Sequence, residues 1–203
     1  TYFHSAYSHI NEYQLCIGES TMSQRPELQV DKGEGKQIMT VEQAAVFALQ
    51  RCKTAEEALD LITSLMEKQG FLPSCGPESE CLTLADPEKV WVLELFSVGK
   101  GWTPESGKPG VIWAAQRLPD DQIAIIPNWS IIKEIDLSKP DQFRASSNYM
   151  QEAVDRGWYD PSGKHPFIWQ EVYAPTPREW SMNRFWLFNE TFAPGTVQIP
   201  RYT

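Results

Sequence analysis

Residues 109–130 constrain the fold most, because this stretch holds two apolar runs on either side of a turn. The runs cover residues 111–118 and 122–126, and Pro119-Asp120-Asp121 separates them. Proline fixes the backbone angle at the second position of a turn, and aspartate adopts the remaining turn conformations at little cost. The pattern therefore predicts a β-hairpin whose strands are buried on both faces.

Asn128 follows the second of these predicted strands, directly after Pro127. A short amide side chain fixed at the end of a buried strand can donate a hydrogen bond to the negative charge that develops on a carbonyl oxygen during acyl transfer. The same residue can instead cap the strand end or form an Asx turn after the proline. The spacing taken alone favours this structural role.

The composition is that of an ordinary globular protein with one sizeable core. Of 203 residues, 41% are hydrophobic and 22% are charged, and 18 basic against 27 acidic side chains give a net charge of −9. An acidic surface does not attract nucleic acid or an anionic membrane, so neither is expected as a partner. No apolar run reaches the roughly 18 residues that a membrane helix needs.

The cysteines do not form a metal-binding pattern. The sequence contains no Cys-x-x-Cys pair and no histidine cluster, so neither a structural zinc ion nor a cofactor is expected. Cys75 and Cys81 bracket a short polar loop and could form a disulfide in an oxidising compartment. The alternative is that all four cysteines are thiols.

Apolar runs elsewhere predict strands. They cover residues 15–17, 82–84 and 90–96, with a turn at Asp86-Pro87 between the last two. The first of these strands is expected to end at residues 18–21, where glycine and polar side chains follow.

Capping signals predict two longer helices packed on one side of a sheet. Thr40 and Thr54 each precede a Gln or Glu by three residues, which is the pattern of a capping box, and Gly70 ends the second helix. Shorter helices are predicted at residues 147–156, 166–173 and 178–190. Strands beside helices in this order favour a layered α+β or α/β fold.

Four charged residues stand in apolar surroundings. Glu94 and Arg117 interrupt predicted strands, and a buried charge needs a partner, so they could pair; Glu94 could instead bind a substrate ammonium group. Arg178 and Arg184 lie six residues apart on the last predicted helix and do not share a face. Arg184 could reach inward to a carboxylate, whereas solvent is the simpler expectation for both arginines.

Five blocks of sequence carry a resemblance to a known family. Residues 11–21 read Asn-Glu-Tyr-Gln-Leu-Cys-Ile-Gly-Glu-Ser-Thr, and four further blocks follow in order at residues 84–94, 109–120, 157–161 and 173–175. The first block resembles the N-E-x-x-x-x-I-G-E-[ST]-T segment of a bacterial dipeptidase family of N-terminal-nucleophile cysteine hydrolases. Taken together, the blocks are specific to that family.

The resemblance implies a single domain over residues 1–203 with the four-layer αββα sandwich of N-terminal-nucleophile hydrolases. It also implies hydrolysis of dipeptides by an N-terminal cysteine, whose free α-amine acts as the base and whose thiol forms an acyl-enzyme. By the same resemblance, Asn128 is the oxyanion-hole residue and Arg184 is an active-site arginine. Glu19, Ser20 and Thr21 fall where relatives place a second polar group on the oxyanion, and the resemblance implies that they bind substrate.

The nucleophile that the family requires is not found in this sequence. Thr1 heads the chain, and Cys16 lies inside a predicted strand without a free amine. We therefore expect the central part of a dipeptidase, with an incomplete sandwich, that needs a missing N-terminal segment of the same protein and is inactive alone. A periplasmic or extracellular location is favoured over the cytoplasm, and a homo-oligomer is compatible with the sequence.

Two other functions stay open at this stage. Thr1 could act as the nucleophile of a threonine-type hydrolase of the same superfamily. Alternatively, the tryptophan-rich second half of the chain could form a non-catalytic module that binds peptides or glycans.

Overall fold

A computed structural model describes residues 2–3 and 8–196. Within these ranges seven strands form one sheet in sequence order, and every neighbouring pair is antiparallel. The strands are β1 (Tyr2–Phe3), β2 (Ser8–Asn11), β3 (Cys16–Met22), β4 (Ser79–Ala85), β5 (Val90–Phe96), β6 (Ile112–Arg117) and β7 (Phe143–Ala145). The helices are α1 (Val41–Arg51), α2 (Ala55–Gln69), α3 (Gln151–Asp155), α4 (Trp169–Tyr173) and α5 (Glu179–Phe192).

The two longer helices begin and end where the sequence predicts. Thr40 forms the full capping box with Gln43 at the start of α1. Thr54 accepts a hydrogen bond from the backbone N–H of Glu57 at the start of α2, and Gly70 ends that helix with φ of 74°. Local side-chain signals therefore suffice to define both helices.

Each face of the sheet is covered by a separate hydrophobic cluster. Helices α1 and α2 pack on one face over inward side chains of β3–β6. Helices α3 and α4 pack on the other face, together with apolar residues of the segment 126–135. The α+β class is confirmed, and the described residues contain one sheet with helices on both sides.

The predicted hairpin of residues 109–130 is wrong in its second half. The first run forms β6, but residues 122–126 are not a strand, and Ile123 is 62% exposed. Both edges of β6 are already paired, one with β5 and the other with β7. The segment after the turn therefore has no free edge of β6 to join, and it leaves the sheet toward Asn128.

The first predicted strand is longer than its apolar run indicates. Strand β3 continues through residues 18–21 to Met22, because β4 pairs with every residue of it. Ser20 and Thr21 consequently lie inside the strand rather than past its end.

None of the five helices in the described ranges is long and apolar enough to cross a membrane. All four cysteines lie in those ranges as thiols, so Cys75 and Cys81 do not form the disulfide that their spacing allows.

Candidate active site

The structure brings Asn128 together with two other predicted site residues. Its Nδ2 atom donates a hydrogen bond to the backbone carbonyl oxygen of Thr21 at 2.9 Å. Its Oδ1 atom accepts a hydrogen bond from Nη1 of Arg184 at 2.6 Å. Asn128 has a φ of 61°, a left-handed conformation that asparagine tolerates better than most residues. The side chain is thus held beside the second half of β3; within the described residues, β2 pairs with residues 16–18 of that strand.

These two contacts fix which way the amide of Asn128 faces. A guanidinium group can only donate hydrogen bonds, and a carbonyl oxygen can only accept them. The amide oxygen must therefore face Arg184, and the amide nitrogen must face Thr21. The second N–H of Nδ2 takes part in neither bond. The positively charged guanidinium of Arg184, bound to the amide oxygen, polarises the amide and makes this N–H a stronger hydrogen-bond donor.

A contact within α5 orients the side chain of Arg184 toward Asn128. Its guanidinium lies over the ring of Trp180, one turn earlier in α5, at 4.7 Å from the ring centre. The arginine binds the amide of Asn128 rather than the carboxylate that the sequence suggests. Arg178, expected in solvent, instead pairs with Glu78 at 2.6 Å and with Oγ of Ser23 at 3.0 Å.

We expect replacement of Arg184 with methionine in the complete protein to lower kcat/KM by about 10- to 100-fold for a substrate whose oxyanion accepts the N–H of Asn128, because a charge-assisted hydrogen bond is worth about 1.5–3 kcal/mol. Initial rates over a range of dipeptide concentrations measure this effect. Arg178→Met removes a charge near the start of the same helix without touching Asn128, and it should leave kcat/KM within about twofold. Equal losses in both variants would contradict the role given to Arg184.

Glu94 anchors the segment that carries Asn128. Its carboxylate is fully buried and accepts hydrogen bonds from Ser130 Oγ at 2.6 Å, Trp169 Nε1 at 2.7 Å and the backbone N–H groups of Ile131 at 2.7 Å and Ile132 at 3.2 Å. Burial raises the pKa of Glu94 above its ordinary value, and the four hydrogen bonds oppose that rise.

The predicted ion pair between Glu94 and Arg117 is wrong. Their strands are neighbours, but the register places Glu94 opposite Ala114 and Arg117 opposite Trp91. Arg117 instead pairs with Asp120 at 2.7 Å. The buried oxygens of Glu94 are occupied by hydrogen-bond donors, so a substrate ammonium group does not reach them.

Thr21 links Asn128 to a pair of glutamates. Its Oγ1 donates a hydrogen bond to Oε1 of Glu19 at 3.1 Å. Glu19 and Glu80 are diagonal neighbours on one face of the sheet, since Glu19 lies opposite Leu82 and Thr21 lies opposite Glu80. Glu80, which sequence reasoning missed, is fully buried and lies beside the carboxyl of Glu19 and the hydroxyl of Thr21. Within the described part of the chain, neither of its carboxyl oxygens forms a hydrogen bond of normal geometry.

Ser20 is not brought into this group. Side chains alternate between the two faces along a strand, so Ser20 points to the face opposite that of Glu19 and Thr21. In the described ranges no three histidine, cysteine, aspartate or glutamate side chains converge in a way that could hold a metal ion. Cys16 lies inside β3, and Thr1 lies outside the described residues.

Burial raises the pKa of Glu80 well above its ordinary value, and the neighbouring carboxyl of Glu19 raises it further, while the hydroxyl of Thr21 opposes the rise. A carboxyl that keeps its proton in the folded state and releases it in the unfolded chain stabilises the folded state less as pH rises. We expect the free energy of unfolding to fall as pH rises above about 5, because the unfolded chain then releases this proton while the folded state keeps it.

Glu80→Gln should reduce this slope, because glutamine is neutral at every pH; the part that remains belongs to Glu94, whose pKa burial also raises. Urea unfolding of the complete protein and of the variant at several pH values between about 6 and 9 measures it. Identical pH dependence in the two proteins would show that Glu80 is not the group responsible.

An amide N–H that is fixed beside a strand and polarised by an arginine suits a hydrolase with an oxyanion intermediate. The model of peptidase family C69 matches residues 4–203, and the chain belongs to this family of cysteine peptidases. The dipeptidase resemblance of the sequence is thereby confirmed.

Two relatives illustrate the similarity. The chain is 26% identical over 184 residues to a probable dipeptidase B of Lactococcus lactis, which covers 84% of this chain and 33% of the relative. It is 27% identical over 104 residues to a probable dipeptidase B of Streptococcus pyogenes, which covers 51% of this chain and 17% of the relative. The chain thus spans about a third or less of the length of the relatives it matches.

Proposed function

We propose that the complete protein is a dipeptidase and that Asn128 stabilises the oxyanion of the reaction. The observation that carries this proposal is the hydrogen-bonded unit of Arg184, Asn128 and Thr21, which leaves one polarised N–H of Asn128 uncommitted. Membership of peptidase family C69 and the names of the relatives support the same reaction class.

The proposed reaction has two acyl-transfer steps. The thiol of an N-terminal cysteine, supplied by polypeptide outside this chain, attacks the scissile carbonyl and passes its proton to the free α-amine. The tetrahedral oxyanion accepts the N–H of Asn128, the C–N bond breaks, and the leaving amine takes the proton. Water then hydrolyses the thioester through a second oxyanion at the same position, which regenerates the thiol.

The family resemblance carries a finer fold proposal, in which residues 1–203 form a single domain of an αββα sandwich. In that arrangement α1 and α2 form the outer helical layer on the described sheet. The opposite face already carries α3, α4 and the segment 126–135, so the second sheet would pack beside or over these elements.

Assays of the complete protein with free dipeptides test this proposal, together with mass spectrometry of a rapidly quenched reaction. We expect release of single amino acids and a transient mass increase of one acyl group on an N-terminal cysteine. Alkylation of that cysteine should abolish both. Saturable quenching of tryptophan fluorescence by dipeptides without any cleavage would contradict the proposal and would favour a binding module.

A further inference from the structure

We propose that residues 122–127, the docking segment, pair with a strand of the same protein that lies outside residues 1–203. This strand runs antiparallel to the docking segment and begins with the nucleophile cysteine. The inference rests on the proposed dipeptidase function and says where the nucleophile joins the present chain. It follows from the sequence of the segment, its free backbone and its position directly before Asn128.

The docking segment has the sequence and the shape of a strand. It reads Gln-Ile-Ala-Ile-Ile-Pro, and isoleucine is among the residues most enriched in strands. The chain turns at residues 120–121 and bends again at residues 128–129, and between these points it runs straight. At about 3.3 Å per residue, the segment spans about 20 Å, which is the length of an ordinary strand.

The backbone of the docking segment is free to pair with another strand. Among the described residues, its one backbone hydrogen bond runs from the N–H of Gln122 to the carbonyl oxygen of Pro119 at 3.1 Å, within the preceding turn. Ile123 is 62% exposed, so an apolar side chain faces solvent beside these free backbone groups. An exposed apolar strand with unpaired N–H and C=O groups is a template for strand addition, and folded proteins normally cover it.

The reach of the nucleophile identifies the strand that pairs here. The match to the Lactococcus lactis relative covers 33% of that protein, so most of such a protein is polypeptide outside this chain. In the proposed tetrahedral intermediate, the cysteine sulfur and the oxyanion are bonded to the same carbon. The oxyanion lies about 2.7–3.1 Å from Nδ2 of Asn128, which places the sulfur within about 6 Å of that nitrogen. The polypeptide that carries the cysteine must therefore pass directly alongside Asn128.

Strand geometry fixes the direction of this pairing. Directly opposite residues of an antiparallel pair have Cα atoms about 4.5–5.5 Å apart. A strand that begins opposite Asn128 and runs back toward Gln122 therefore brings its first residue, the cysteine, within reach of the amide. A parallel strand over the same segment would begin opposite Gln122, about 20 Å from Asn128. Pro127 lacks an N–H group, so it costs the ladder at most one hydrogen bond, at its end.

Hydrogen exchange in the complete protein, measured residue by residue with mass spectrometry, tests the pairing. Alternate residues of a paired strand direct their N–H groups to the same neighbour, so we expect every second amide at residues 123–126 to be protected. These amides should exchange at least about 100-fold more slowly than those of Lys32 and Gly33 in an exposed loop. Exchange at residues 123–126 as fast as in that loop would overturn the proposal.

Photo-crosslinking identifies the strand that pairs with the docking segment. The photoreactive residue p-benzoylphenylalanine replaces Ile123 in the complete protein, and the same replacement of Leu137, which is 47% exposed outside the segment, is the matched control. Irradiation should join position 123, and not position 137, to the peptide that begins with the nucleophile cysteine, at about its sixth residue. Attachment at about its second residue, to any other peptide or to a second copy, or equal yields at both positions, would overturn the proposal.

Neither measurement requires substrate turnover, so both separate this inference from the proposed function. Pairing with the N-terminal strand in a protein that does not cleave dipeptides would support the docking segment and reject the dipeptidase. Cleavage of dipeptides by a protein whose docking segment is unprotected would do the reverse. Absence of both pairing and cleavage would reject both.

Discussion

Replacing Asn128 with alanine in the complete protein is expected to lower kcat for dipeptide hydrolysis by about 10²–10³, with little change in KM. The reason is that an oxyanion-hole donor acts on charge that is present in the transition state and not in the bound substrate, so its loss costs about 2.7–4 kcal/mol of transition-state stabilisation. Steady-state kinetics and the rate of the acylation phase measure the effect.

Asn148→Ala is the matched control for this substitution. Asn148 also donates its side-chain amide to a strand carbonyl oxygen, that of Val111, at 3.3 Å, but it is not part of the unit around Asn128. We expect Asn148→Ala to leave kcat within about threefold of the unmodified protein. A loss of less than about tenfold in Asn128→Ala would exclude an oxyanion role for this amide.

Replacing Glu94 with alanine is expected to lower the free energy of unfolding by about 3–5 kcal/mol, because it leaves three buried donors and one partly buried donor without an acceptor. Activity should fall as well, since two of these donors are the backbone N–H groups of Ile131 and Ile132, just after Asn128. Urea unfolding measures the loss of stability, and an m-value equal to that of the unmodified protein shows that only the stability has changed.

Glu94→Gln separates the charge from the hydrogen bonds. The amide oxygen of glutamine can still accept from the N–H groups of Ile131 and Ile132, and the hydroxyl of Ser130 can turn to accept from the new amide nitrogen. Only the indole N–H of Trp169 loses its acceptor, so we expect a smaller loss of about 1–3 kcal/mol. Equal stability of the alanine and glutamine variants would mean that Glu94 does not anchor this segment.

Local signals in the sequence predict the helices and the long central strands well. The capping residues Thr40 and Thr54 act within one helical turn, so no knowledge of the rest of the fold is needed to identify α1 and α2. The same holds for the turn at Asp86, whose carboxylate accepts the backbone N–H groups of Glu88 and Lys89 between β4 and β5.

Pairings between distant parts of the chain are not predicted in this way. The apolar run 122–126 matches a strand pattern, but the edge of β6 that it would join is taken by β7, which lies later in the sequence. Glu94 stands out in the sequence as a charge in an apolar strand, yet its partners Ser130 and Trp169 are 36 and 75 residues away.

In the candidate site, too, single residues can be recognised from the sequence, but their contacts cannot. Asn128 is recognisable as a polar residue after an apolar run, and the resemblance adds Arg184 and Thr21. Their convergence depends on contacts across 56 and 107 residues, which only the fold provides. Glu80 gives no signal in the sequence, because a glutamate at the start of a strand is normally exposed.

The most direct test of the oxyanion assignment is a structure of the complete protein with a dipeptide aldehyde, which thiol nucleophiles convert to a tetrahedral adduct. We predict that the adduct oxygen lies about 2.7–3.1 Å from Nδ2 of Asn128, with the contact between Arg184 and the amide oxygen retained. An adduct whose oxygen is bound by other donors, with Asn128 more than about 5 Å away, would contradict the proposed role of this residue.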